Sequence, residues 1–195
     1  LDEYDRWLSR PGLEATFMRW LMSAQGAFLI NGPLLRLSEQ LEFDPGLRVL
    51  DIGCGRASVL RFLDTHVQFS QTPVGLDFSR TLLSLAQRDN KPGRPQPMLI
   101  QGSATQLPFA EQTFDIVLCG YVVKHLDDQA LLDLLDEIWR VLTSGGLALV
   151  WEFSPTGNTF LDTWNSYWIG RHVSAPQLRS NRSLLEFVQD SGFPF

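Results

Sequence analysis

Cysteine is nearly missing from the 195 residues, with only Cys54 and Cys119 present. Two are too few for a disulfide framework, so reduced thiols and a cytoplasmic protein are expected. Histidine is just as sparse. His66, His125 and His172 are far apart and lack companion ligands at metal spacing, so no metal site is expected. No apolar run is long enough to span a bilayer; Leu147 to Phe153 is only strand-sized and is interrupted by Glu152. The start, LDEYDRWLSR, is too charged for a signal peptide. Positive charge is short as well. The 16 Lys and Arg against 22 Asp and Glu leave a formal net charge of -6, which speaks against nucleic acid as the main partner. Repeats and low-complexity tracts are missing too. What remains is an ordinary globular composition, 44% hydrophobic and 19% charged, in a chain that suits one domain with a sizeable core.

From Leu47 onward, strand and helix signals alternate. Arg48 to Ile52 reads as a strand, followed by a helix with Leu60 and Leu63 at helical spacing. Thr72 to Leu76 is a second strand, and Ser79 can cap a helix carrying Leu82, Leu83 and Ala86. Pro97 to Gln101 is a short third strand, and Phe114 to Cys119 is apolar enough to be buried on both faces. Asp127 or Asp128 can cap the next helix, where Leu131, Leu134, Leu135, Ile138, Trp139 and Leu142 repeat at three- and four-residue steps. Gly145 and Gly146 are expected to stop it, and Leu147 to Phe153 to form a fifth strand. Such alternation predicts an α/β fold: a mostly parallel, doubly wound sheet with helices on both faces. Before Leu47 lies a mostly helical segment, 1–46, with Phe17, Trp20, Leu21 and Ala24 on one face and Leu34, Leu35 and Leu37 in another helix. It is expected to pack on the sheet domain, 47–195, or to cover its site. A last helix is expected from Ser183 to Asp190.

In open parallel sheets, ligands bind beyond the carboxyl ends of the strands, so the residues after each strand matter most. After the first strand comes Asp51-Ile-Gly53-Cys54-Gly55-Arg56-Ala57. Its glycines remove Cβ atoms that would block a ligand, and the following helix offers free N–H groups. The dinucleotide fingerprint wants a third glycine at position 58, where this chain has Ser58, so that fingerprint fails. Asp77 lies 24 positions after Gly53, where a carboxylate can accept hydrogen bonds from ribose hydroxyls or simply favour a helix N-terminus.

Together, LDIGCGRA, VGLDFS, GSATQLPFAEQTFDIV, VVKHLDD and RVLTSGG resemble a class I S-adenosylmethionine-dependent methyltransferase, nearest to the group containing the ubiquinone/menaquinone-biosynthesis methyltransferases. The resemblance covers roughly Leu47 to Phe153 and implies a Rossmann-like fold with an N-terminal helical lid, S-adenosyl-L-methionine as cofactor, and a small, apolar or aromatic methyl acceptor. It also implies roles. The loop Asp51, Gly53, Cys54, Gly55 and Ala57 would hold the methionine end, with Asp51 towards the amino group. Asp77 would take the ribose, Phe78 would pack on adenine, and Ser103 and Ala104 would lie at its edge. Cys119, Gly120 and Tyr121 would line the methionine moiety near the sulfonium, and His125 matches a histidine found after the fourth strand.

Two positions depart from the family pattern. Ala57 stands where glycine is usual, and Ser103 where aspartate is common, which lowers expected cofactor affinity. His125 is the candidate base; its alternative is a histidine that supports the cofactor loop. Glu152 either touches substrate or pairs with a cation. Acceptor specificity is expected from the flanks, which offer Tyr4, Trp7, Phe17, Trp20 and Phe28 at one end and Trp151, Phe153, Phe160, Trp164, Tyr167 and Trp168 at the other. The helical spacing of Phe17, Trp20 and Ala24 points to core. The family continues after a GF pair like Gly192-Phe193 with two more strands. The expectation is therefore a truncated chain, or a homodimer contact at the edge of strand five. The competing function is a non-catalytic binding module on the same fold.

Overall fold

The computed structural model describes residues 2–23 and 43–152, apart from 91, 94 and 95, together with positions 26, 159, 163, 184, 185, 188 and 189. Five strands, β1 (Val49–Ile52), β2 (Val74–Asp77), β3 (Met98–Gln101), β4 (Phe114–Gly120) and β5 (Leu142–Trp151), form one sheet in the order β3-β2-β1-β4-β5, every pair parallel. The helices are α1 (Asp2–Ser9), α2 (Leu13–Leu21), α3 (Ser58–Val67), α4 (Arg80–Arg88) and α5 (Asp128–Val141), with a 3-10 turn at Val123–His125.

The two-residue period of the strands sorts the core into two layers. On one face Leu50, Ile52, Leu76, Val117 and Cys119 pack under Leu131, Leu134, Leu135 and Ile138 of α5. On the other, Val49, Ile116 and Leu118 meet Leu60 and Leu63 of α3 and Leu83 and Ala86 of α4. The sheet is therefore doubly wound, as its alternating sequence predicts. Caps expected from the sequence form too: Ser79 Oγ accepts from Leu82 N at 3.1 Å, and Asp127 Oδ1 accepts from Ala130 N at 2.8 Å. β1 lies beside both β2 and β4, and the chain reverses its direction of winding there. The crevice between the loops after β1 and β4 is thus the place for a ligand.

Three expectations fail locally. Gly145 and Gly146 do not stop α5; the helix ends at Val141, and Leu142 already pairs with Phe114. The next pair joins Ile116 to Leu147, so residues 143–146 bulge out of the ladder. Gly145 takes φ 78 within that bulge, and Thr143 Oγ1 donates to Asp115 Oδ1 at 3.0 Å to hold it. The same carboxylate receives both Nε and Nη2 of Arg48 at 3.0 Å, which ties β1 to β4 and draws the Asp115 carboxyl down to about 2. Trp139, counted with the α5 stripe, is 54% exposed because it sits one residue beyond Ile138 and turns off the buried face.

The third failure is in α2. Phe17 and Trp20 are not core: they are 55% and 45% exposed and stack on each other at 5.8 Å. Helical spacing identifies a shared face but not what covers it. Among the described residues of this segment the buried apolar side chains are Leu8 and Ala15. α1 docks on α4: Asp5 accepts from Ser79 Oγ and from Thr81 N, the latter at 3.2 Å, and Ser9 Oγ meets Thr81 Oγ1 at 2.9 Å. Positions 184, 185, 188 and 189 are helical, in the stretch expected as the last helix, and Leu184 and Val188 pack on the α5-side core. The expectations for Ala24, Phe28, Leu34, Leu35, Leu37, Phe153, Phe160, Trp164, Tyr167, Trp168, His172 and the chain's end lie outside the described residues. Among the described strands β5 is an edge, and no described helix is long and apolar enough to cross a membrane.

Candidate cofactor site

The sharp turn after β1 is built from left-handed residues. Gly53, Gly55 and Ala57 have φ of 72, 54 and 55. Gly53 N and Cys54 N both donate to Leu76 O, at 2.8 and 3.0 Å, so the loop is stitched to the end of β2. A Cβ at Gly53 would collide with the γ-methyl of Val122, which follows β4. The two loops that face each other across the crevice therefore touch at a position only glycine fits.

Ala57 is the departure that the family pattern singles out, and the structure moves the question. Its methyl group is fully buried among Cys54, Leu60 and Leu63. It turns into the core and does not crowd the crevice. The cost is in the backbone, since a left-handed alanine is disfavoured by about 1–2 kcal/mol. Glycine would relieve this but would lose a buried methyl, about 0.8 kcal/mol, and gain unfolded-state entropy, about 0.4–1 kcal/mol. Ala57→Gly is therefore expected to change stability by less than about 1 kcal/mol, whereas Ala57→Val, β-branched at the same φ, should cost more than about 2 kcal/mol. Urea denaturation of both variants checks this; a large loss in the glycine variant would contradict it.

Two carboxylates meet behind this loop. Asp77 Oδ2 accepts from Gly55 N at 2.7 Å and Oδ1 from Ser79 N at 2.8 Å. Asp51 is buried, with no cation or hydrogen-bond donor among the described residues to offset its burial; that burial, and Asp77 nearby, push its carboxyl up to about 8. Burial raises Asp77 too, against the pull of its two N–H donors. Phe78, next in the chain, is 39% exposed, a ring face open to a planar group. The structure therefore brings Asp51, Gly53, Gly55, Asp77 and Phe78 to one crevice.

The remaining expected residues divide. Ser103 and Ala104 follow β3, but the Ser103 hydroxyl accepts from Thr105 N at 3.2 Å and meets Thr105 Oγ1 at 2.9 Å, so it caps its own turn. Ala104 packs on the α5-side core. Cys54 and Cys119 are both buried, and burial holds both thiols in the neutral form. The Cys54 sulfur stands where a Cβ at Gly75 would come within 2.8 Å of it. Cys119 lies in the core under α5 instead of lining a crevice. Gly120 lets the Trp151 indole lie against the backbone, since a Cβ there would run into the ring. Tyr121 has φ 59, donates its N–H to Trp151 O at 2.9 Å and meets the indole edge-on; burial and Glu152 push its phenol up to about 12. His125 is half-buried, and burial together with Lys124 pushes its imidazole down to about 3. A histidine so weakly basic stays neutral at pH 7 and suits support of the loop better than proton abstraction.

Glu152 pairs with a cation. Its carboxylate lies 3.6 Å from Lys124 Nζ and accepts from Lys124 N at 3.0 Å. Lys124 Nζ also donates to Tyr121 O and sits 5.3 Å from the centre of that ring. Sequence reading missed Lys124, Val122 and Asp5, because each acts on a residue that only the fold makes a neighbour.

These residues fit S-adenosylmethionine. The cofactor carries an ammonium group, and Asp51 is a buried carboxyl with no cation facing it among the described residues; it carries two ribose hydroxyls, and Asp77 is an acceptor at the end of β2. Residues 49–146, half of the chain, match the family described as "Methyltransferase domain". The chain belongs to that family. This methyltransferase domain is 32% identical over 133 residues to the 2-phytyl-1,4-naphtoquinone methyltransferase of Thermosynechococcus vestitus, covering 68% of this chain and 58% of that one. It is 30% identical over 162 residues to the demethylmenaquinone methyltransferase of Staphylococcus carnosus, covering 82% and 66%. The chain thus spans less than two thirds of either relative. A S-adenosylmethionine-dependent methyltransferase from Archaeoglobus fulgidus shares its fold, with a TM-score of 0.65 at 20% identity over 88% of this chain and 70% of that one. The order β3-β2-β1-β4-β5 with helices on both faces agrees with the Rossmann-like fold that the resemblance implies.

Proposed function

We propose that the protein is a S-adenosylmethionine-dependent methyltransferase acting on a small apolar or aromatic acceptor of the quinol class. The observation that carries this reading is the buried Asp51 beside Asp77, with no cation facing it among the described residues, behind a glycine turn that faces the β1/β4 crevice. The phytyl-naphthoquinone and demethylmenaquinone for which its relatives are named support the acceptor class.

When bound, S-adenosylmethionine supplies an electrophilic methyl group, and its transfer needs chiefly alignment. In this reading Asp51 holds the amino group, Asp77 the ribose, and Phe78 with the Ser103-Ala104 turn the adenine. The Gly53–Val122 contact fixes the distance between the two walls. Tyr121 stays protonated, so it presents a neutral ring and hydroxyl near the reacting end. The Lys124–Glu152 pair places a net-neutral ion pair at the ends of β4 and β5, a fixed dipole suited to orient a polar acceptor head group.

Calorimetry with S-adenosylhomocysteine, followed by methyl transfer to a naphthoquinol, tests the reading. Micromolar binding is expected. No binding at millimolar ligand would exclude it. Binding without transfer to any quinol or phenol would favour the non-catalytic module.

A further inference from the structure

Arg56 stands in the middle of the candidate cofactor turn, between the left-handed Gly55 and Ala57, and its side chain makes three hydrogen bonds to residues of α2 and α4's end. Its Nε and Nη2 donate to the two oxygens of Asp89 at 2.8 and 2.6 Å. Asp89 is the residue that ends α4. Arg56 Nη1 donates to the carbonyl of Arg19 at 2.8 Å, in the last turn of α2. The Arg56 carbonyl is itself held by Arg61 Nη1, while Arg61 Nη2 reaches Ala86 O and Asn90 Oδ1 at 2.6 and 2.8 Å.

The physics of each tie is plain. The last carbonyls of a helix have no intrahelical donor, and a guanidinium there satisfies one and meets the negative end of the helix dipole. Arg56 does this for α2. Its fork on Asp89 is bidentate, so the side chain has one orientation. Its side chain is only 14% exposed, which shields the pair from solvent. Ser58, directly after the turn, adds a weaker tie from Oγ to Met22 O at 3.4 Å. The chain's two left-handed residues around Arg56 have little preference of their own for that shape, so outside contacts must hold it.

We propose that Arg56 is a positioning residue that couples the α1–α2 segment to the cofactor turn, so that docking of those helices and affinity for the S-adenosyl ligand rise and fall together. Such coupling is reciprocal: ligand that rigidifies the turn must also tighten the helices. The proposal rests on the methyltransferase reading, because it takes the turn to be the ligand's seat.

The test combines calorimetry with S-adenosylhomocysteine and hydrogen exchange of residues 2–23, on the full chain. In the unmodified protein, ligand should slow exchange in α1 and α2. Arg56→Met keeps the apolar stem and removes the fork. It is expected to bind about tenfold more weakly and to lose the ligand-induced protection of 2–23, while β1 and β4 exchange as before. Arg56→Lys, which keeps a cation for the Arg19 carbonyl, should fall between. If Arg56→Met does not fold, Asp89→Asn leaves the turn's own sequence intact and should weaken binding about threefold with partial loss of protection. Affinity within experimental error of the unmodified protein in the folded variant, or protection of 2–23 that ligand raises equally in both proteins, overturns the coupling. If the unmodified protein itself does not bind S-adenosylhomocysteine, the function and the coupling fall together; if it binds and the variants do not differ, only the coupling falls.

Discussion

Asp77→Ala is expected to weaken S-adenosylhomocysteine binding about a hundredfold. The carboxylate has two tasks. In the ligand-free protein it accepts from Gly55 N and Ser79 N, so it holds the glycine turn against the start of α4. In the proposed complex its remaining lone pairs accept from the ribose. Hydrogen bonds to a charged group contribute about 1.5–3 kcal/mol each, and at the low end of that range, fitting a partly solvated ribose, losing two of them amounts to roughly two powers of ten. Asp77→Asn separates the tasks: one amide oxygen can still accept from one N–H, but the charge is gone and an N–H₂ faces a donor. The asparagine variant should lie between the two, at about tenfold weaker binding. Calorimetry on both variants, with circular dichroism to confirm folding, reads the result. Unchanged affinity in the folded alanine variant would remove Asp77 from the cofactor site.

The second large effect is a dependence on pH set by Asp51. In the ligand-free protein its carboxyl sits at about 8, far above its ordinary 3.8, because burial disfavours the anion. The native state therefore holds a proton that the unfolded chain has released. The stability this confers is fully present below about 3.8 and is lost as pH rises through about 8. The slope is about 1.4 kcal/mol per pH unit over that window. An ammonium beside Asp51 reverses the trend, since it favours the carboxylate. Binding then expels one proton, and affinity should rise close to tenfold per unit as pH climbs from about 6 to about 8, then level off. Buffers of different ionisation enthalpy would reveal the proton directly. Asp51→Asn cannot ionise, so it should abolish the slope, bind more weakly at pH 8, and make the ligand-free protein more stable there. A flat affinity profile in the unmodified protein would place the ammonium elsewhere.

How much of this was legible in the sequence depends on the range of the interaction. The succession of strands and helices along the chain was readable, because strand and helix periods are local. Leu131, Leu134, Leu135 and Ile138 announced α5, and Asp127 announced its start. The glycine turn and Asp77 were readable as a pair because each ends a strand that begins the next helix. The stop of α5 was not. Gly145 and Gly146 look like a helix terminator, yet Leu142 was captured by Phe114 on a neighbouring strand, and the glycines served a bulge instead. Trp20 and Phe17 carried the same signal as a core face, but nothing local says whether a partner covers it.

The sequence by itself determined the layered α/β fold and its family, and singled out the candidate positions for a cofactor's charges. Periodicity, caps and motif spacing are short-range properties, so one chain suffices to read them. The tertiary structure alone decided how those positions behave. It buried Asp51 beside Asp77, turned the Ala57 methyl into the core, set Val122 against Gly53, and joined Arg56 to Asp89 and to the end of α2. Burial and pairing depend on residues tens of positions apart, and no local pattern encodes which of them will meet.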